Sequence, residues 1–98
     1  MWLLETDEGA DAPFRFRILP GSIKTVGRST GADFTVDAPL VSRVHCRLSA
    51  GATALEVIDL ESTNGTFVNG ERVDRKTVKT GDRIGVGRVE LIVQRTQG

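Results

Sequence analysis

The dipeptide Asn69-Gly70, set between Thr66-Phe67-Val68 and Glu71-Arg72-Val73, restricts the folding of this chain more than any other stretch. A type I′ turn needs positive φ at both central positions, which Asn and Gly accept and most residues do not. The segment therefore reads as a two-residue β-hairpin. Phe14, Phe16 and Ile18 alternate with Arg15 and Arg17, the period of two of a half-buried strand. Val44, Cys46 and Leu48 share one parity while His45, Arg47 and Ser49 share the other. Trp2-Leu3-Leu4, Ile23 to Val26, Phe34-Thr35-Val36 and Leu55-Glu56-Val57-Ile58 read as further short strands. Gly87-Arg88, between Ile84-Gly85-Val86 and Val89 to Val93, predicts a second hairpin of Gly-first type. Pro20-Gly21, Asp37-Ala38-Pro39 and Ser49-Ala50-Gly51-Ala52 punctuate the strands, and the small and acidic residues from Asp7 to Pro13 predict a loop. No stretch carries a helical period. Many short strands at regular spacing predict an all-β fold, an antiparallel β-sandwich of two packed sheets.

With 98 residues and no linker, repeat or low-complexity segment, residues 1–98 read as a single domain with one modest core. That length falls short of the usual size for an enzyme with a deep cleft. Aromatic residues are few, four Phe and one Trp, so Val, Ile and Leu must fill most of the core. Thirteen Lys and Arg balance thirteen Asp and Glu without a run of like charge, which argues against nucleic acid or an anionic membrane as partner. The single Cys46 excludes an internal disulfide, and one Cys with one His cannot build a zinc site. No metal and no cofactor is expected. Met1 to Asp7 has neither a basic segment nor an apolar run of signal length, so a cytoplasmic protein is expected.

Three polar blocks stand where alternating segments give way to turn residues. They are Val26-Gly27-Arg28-Ser29, Val41-Ser42-Arg43-Val44-His45 and Asp59-Leu60-Glu61-Ser62-Thr63-Asn64-Gly65-Thr66. Together they offer two guanidiniums, two hydroxyls and a carboxamide on loops, where a rigid sheet scaffold carries its recognition groups. That donor set suits an anion flanked by peptide backbone: Arg presents a planar fork to phosphate oxygens, and Asn can both give and accept a main-chain hydrogen bond.

Gly27-Arg28, Ser42-Arg43-x-His45 and Ser62-x-Asn64-Gly65-Thr66-x-x-Asn69-Gly70 resemble, in order and spacing, the signature of forkhead-associated (FHA) domains, with its core over residues 26–70. The resemblance implies a β-sandwich with recognition loops at one end that binds phosphothreonine-containing protein segments. It implies phosphate contacts from Arg28, Ser42, Arg43 and Thr63, and a ligand main-chain contact from Asn64. Gly27, His45, Asp59, Gly65, Asn69 and Gly70 would be loop-structural. It also implies selectivity for threonine, through a small pocket beside the phosphate that takes the ligand's γ-methyl. FHA domains serve as modules in longer proteins, and the sequence leaves open whether this chain is such a piece, its oligomeric state and the phosphorylated partner.

Rival chemistries fare worse. A Ser-His-Asp hydrolase drawn from Ser42, His45 and Asp59 fails if Ser42 extends the Val44 to Leu48 strand, because positions three apart then face opposite sides. No small-Ser-small elbow surrounds Ser42 either. Gly81 to Arg88 lacks the Lys-Ser/Thr ending of a P-loop and precedes no helical pattern. Asn64-Gly65-Thr66 spells a glycosylation sequon that a chain without a secretion signal would not present to that machinery. No catalysis is expected. The alternative in contention keeps the sandwich and drops the phosphate, leaving a phosphate-independent interaction module.

Overall fold

The alternating segments do become strands. The structure, a computed structural model that describes residues 1–7, 9 and 13–96, holds eleven strands and no helix among those residues. In chain order they are β1 (Trp2–Glu5), β2 (Arg15–Ile18), β3 (Ile23–Gly27), β4 (Phe34–Thr35), β5 (Cys46–Ala50), β6 (Leu55–Asp59), β7 (Thr66–Val68), β8 (Glu71–Val73), β9 (Arg75–Val78), β10 (Arg83–Val86) and β11 (Val89–Arg95). One sheet runs β2-β1-β11-β10-β7-β8 and the other β4-β3-β5-β6-β9. Neighbours pair antiparallel, except β3 and β4, which run parallel with Val26 opposite Phe34. The loop expected over Asp7 to Pro13 lies for the most part outside the described residues.

Period-two patterning sends one face of each sheet into a shared core. Trp2 and Leu4 of β1, Ile18 of β2, Leu48 of β5, Leu55 and Val57 of β6, Ile84 of β10 and Leu91 and Val93 of β11 are all buried there. Each large aliphatic side chain taken from water contributes about 1.5–3 kcal/mol. Phe16 on edge strand β2 and Phe34 on edge strand β4 stack with centroids 4.6 Å apart, joining the two sheets along one margin. The Trp2 indole N–H donates to the Gly51 carbonyl at 3.0 Å, tying the first strand to the β5–β6 turn.

The Asn69-Gly70 hairpin forms between β7 and β8, with φ of 52° and 83° at the two turn residues. The second hairpin joins β10 to β11 with Gly87 at φ 59°. One reading needs correction, and one strand was not foreseen. The β5 ladder starts at Cys46 rather than Val44: Val44 is exposed and His45 is buried, the reverse of the expected parity, because the chain turns through residues 42–45 before entering the sheet. Strand β9 carried no alternation to read. It is an edge strand whose Arg75, Lys76 and Thr77 face solvent and only Val78 is buried, the charged composition with which sheet edges are kept from pairing with other chains.

Candidate functional site

The three polar blocks meet where the β3–β4, β4–β5 and β6–β7 connections converge. Main-chain bonds set the register of the first two: the amide of Arg28 donates to Ser42 O at 2.9 Å, that of Ser29 to Arg43 O at 3.1 Å, and that of His45 to Val26 O at 2.8 Å. This approach is possible because position 27 is glycine. A Cβ there would overlap the Arg43 carbonyl oxygen and sit 2.8 Å from its carbonyl carbon. Here the absent side chain matters for close packing of backbone, not for an unusual φ.

The third connection is tied to the second by side chains. Ser42 Oγ accepts from the Thr63 amide at 3.0 Å, and Asn64 Nδ2 donates to Leu40 O at 3.1 Å. His45, fully buried, clamps both: the Ser42 amide donates to its Nδ1 at 3.0 Å, and its Nε2 lies 2.8 Å from Gly65 O. An amide can only donate and a carbonyl only accept, so the imidazole is neutral with its proton on Nε2. Asp59 closes the base of the β6–β7 loop, accepting from the Ser62 hydroxyl at 2.5 Å, the Thr66 hydroxyl at 2.7 Å and the Ser62 amide at 3.3 Å. Partial burial works against its charge, but these donors outweigh it and hold the carboxyl below its ordinary value of 3.8. Burial, with the nearby Asp59 charge, pushes the Cys46 thiol up to about 12, so it is an inert core group at neutral pH.

Above this braced layer lies an open depression lined by Arg28, Ser42, Arg43, Thr63 and Asn64 together with Leu40, Val41, Val44 and Glu61. A smaller one beside it is lined by Arg28, Ser29, Asp37 and Arg43. The two Arg are common to both. Arg28 and Arg43 are exposed, and neither forms an ion pair among the described residues. Ser42 Oγ uses one lone pair to accept from Thr63, and its O–H donates to no group among the described residues, so it is available to a ligand. Asn64 has its Oδ1 and one N–H to spare. Gly27, His45, Asp59 and Gly65 do not line the depression. Asn69 and Gly70 lie away from it as well; Asn69 bonds Asp82 and the Arg83 backbone, anchoring the β7–β8 turn to the start of β10.

Four of the lining residues, Leu40, Val41, Val44 and Glu61, are not among the site residues the sequence points to. Leu40 and Glu61 adopt positive φ, 69° and 54°, a conformation that side-chain sterics normally reserve for Gly or Asn. Val44 reads as core from its parity. The parity argument against a hydrolase also loses its premise, since Ser42 and His45 are within a turn and do share a hydrogen bond. The bond is to the Ser42 amide, however. With Nδ1 occupied by that amide and Nε2 by Gly65, the imidazole has no lone pair to take the Ser42 hydroxyl proton, and Asp59 is engaged with Ser62 and Thr66 instead of His45.

Comparison with known proteins agrees with this architecture. The FHA domain family model matches residues 24–87. An oxoglutarate dehydrogenase inhibitor from Corynebacterium efficiens is 36% identical over 90 residues, covering 92% of this chain and 63% of that protein. The glycogen accumulation regulator GarA of Mycobacterium tuberculosis is 34% identical over 90 residues, covering 92% of this chain and 55% of GarA. The chain thus spans a little over half the length of these relatives. Among solved structures, the FhaA FHA domain complexed with the intracellular domain of Rv3910 superposes with a TM-score of 0.84 at 31% identity, covering 96% of this chain and 100% of that one. A structure from a study of phosphothreonine-dependent FHA domain interactions gives 0.82 at 31%, covering 98% and 97%.

Proposed function

The chain belongs to the forkhead-associated (FHA) family, and we propose that it is a phosphopeptide-recognition module reading phosphothreonine through the depression built on Arg28, Ser42, Arg43, Thr63 and Asn64. The observation that carries this reading is that two guanidiniums with no ion pair among the described residues and a hydroxyl free to donate line one depression over a layer whose own polar groups are already satisfied. A phosphothreonine brings a charge of about −1.5 to −2 and three acceptor oxygens. Arg28 and Arg43 supply charge and planar forks, Ser42 supplies its O–H, and Thr63 a further hydroxyl. Asn64 then has a donor and an acceptor left for the peptide main chain, holding it extended across the loops.

Nothing in this arrangement makes or breaks bonds. The His45 imidazole is fully engaged, and the Cys46 thiol is buried and protonated. Relatives described as an inhibitor and as a regulator fit a module that acts by holding a partner. Among the described residues no helix is long and apolar enough to cross a membrane.

Titration calorimetry with three peptides of one sequence, carrying phosphothreonine, phosphoserine or unmodified threonine, tests the reading. The unmodified peptide is expected not to bind measurably. Burying the γ-methyl is worth roughly 1 kcal/mol by area, and the stiffer χ1 of threonine adds to it, so phosphothreonine should exceed phosphoserine by about tenfold. Equal binding of phosphorylated and unmodified peptides across varied sequences would favour the phosphate-independent module, for which the exposed Leu40 and Val44 in the same depression supply apolar contact.

A further inference from the structure

The depression is asymmetric, and its asymmetry points to the ligand residue beside the phosphothreonine. Arg28 and Arg43 line both depressions, while Leu40, Val44 and Glu61, with Val41, Ser42, Thr63 and Asn64, line only the larger one. Exposed large hydrophobics are rare on this molecule: among the described residues there are four, and two of them, Leu40 at 48% and Val44 at 47% exposed, face this depression. Glu61 is exposed and forms no ion pair among the described residues, although two guanidiniums line the same depression. Leu40 and Glu61 are both in the left-handed region, with φ of 69° and 54°. For a residue with a Cβ, other than Asn or Asp, this conformation has a cost, and strain of this kind gathers at sites where geometry serves a ligand.

Building on the phosphopeptide reading, we propose that Leu40, Val44 and Glu61 form, within the larger depression, a subsite for a basic residue, Lys or Arg, flanking the phosphothreonine, with Glu61 as its specificity-determining partner. A long basic side chain is apolar along its stem and charged at its tip. The stem suits Leu40 and Val44, and the tip suits the Glu61 carboxylate. An acidic residue in the same place would meet Glu61 with like charge, and a short apolar one would leave the carboxylate unpartnered. The subsite also fits the charge balance of the depression: the phosphate offsets the two Arg, and the ligand's own cation offsets Glu61.

The test uses phosphothreonine peptides in which each flanking position is replaced in turn by Lys, Gln or Glu, titrated against the wild-type protein, Glu61→Gln and Glu61→Lys. One flanking position is expected to favour Lys over Gln by about three- to fivefold in the wild type, the size of a well-formed exposed ion pair. In Glu61→Gln that ratio should fall to near one, and in Glu61→Lys it should invert in favour of Glu at the same position. The ratio is internal to each protein, so a general loss of affinity in a variant does not imitate the result. Phosphothreonine peptides that bind with no Lys preference, or with one that survives Glu61→Gln, overturn this subsite and leave the phosphopeptide reading standing. If no phosphothreonine peptide binds at all, both fall.

Discussion

The polar blocks divide into two layers that behave as opposites. In the inner layer, His45, Asp59, Ser62 and Thr66 are buried or half-buried, and each hydrogen-bonding group has found a partner inside the protein. In the outer layer, Arg28, Arg43, Thr63, Asn64 and Glu61 are exposed, and most of their side-chain donors and acceptors are unused. Ser42 joins the two, its amide serving His45 and its hydroxyl reaching outward. Residues close together in sequence therefore do different physical work. The inner set fixes where the loops are; on the proposed reading, the outer set decides what they hold. A platform assembled before the ligand arrives loses less freedom on binding than loops that must be ordered by it.

Gly27→Ala attacks this division most severely. The new Cβ would strike the Arg43 carbonyl, which is backbone and cannot swing aside, so the β3–β4 and β4–β5 loops must separate. The Arg28-to-Ser42 and Ser29-to-Arg43 bonds would go with them. Overpacking of this sort costs about 1–3 kcal/mol, here at the upper end because the clash is with backbone, and phosphopeptide binding should vanish along with the lost stability. Urea unfolding and calorimetry on the same sample report both. A variant of wild-type midpoint and affinity would show that the loops are not zipped as described.

Arg28→Ala should separate the layers. Its side chain is exposed and forms no ion pair among the described residues, so the unfolding midpoint should change by no more than about 0.5 kcal/mol in stability. Removing one charged partner of a phosphate should still cost on the order of 2–5 kcal/mol in binding. A folded Arg28→Ala protein that binds phosphothreonine peptide normally would remove the phosphate from this site. A large fall in melting temperature would instead place Arg28 in the inner layer.

How far these layers were legible in the sequence follows from what each residue's conformation demands. Asn69-Gly70 announces its turn because positive φ excludes most other residues; strand β2 announces itself by alternation, and β1, β6 and β11 by short apolar segments bounded by turn residues. The three blocks, taken together, led to the family. The rest depended on events without a local mark. Val44 and His45 exchange burial because a side chain, His45 Nδ1, takes the Ser42 amide and turns the chain before the sheet begins. Strand β9 is hidden by its exposure at a sheet edge, and the parallel β3–β4 pair is a matter of topology rather than composition. Glu61 and Leu40 enter the depression through left-handed backbone that their side chains would not suggest.

The smallest effect concerns Asp59 and the acid side of the stability profile. Its carboxyl is held below 3.8 in the folded protein, so the unfolded chain takes up a proton more readily than the folded one near that pH. The stabilisation is complete above pH about 4 and drains away as pH falls through the lower folded value. Asp59→Asn keeps Oδ1 for the Ser62 and Thr66 hydroxyls, which both donate to that atom, and sets an N–H against only the longer Ser62 amide contact. At neutral pH the substitution should therefore cost no more than about 1–2 kcal/mol. Asp33 and Asp82 are also held low and give both proteins an acid limb, so the informative quantity is the difference between wild type and variant. That difference should be constant from neutral pH down to about pH 4 and then shrink, because the wild type alone loses the Asp59 contribution. Urea midpoints measured in parallel across this range give the curve. A gap that stays open into strong acid would mean that shape, not charge, makes Asp59 part of the inner layer.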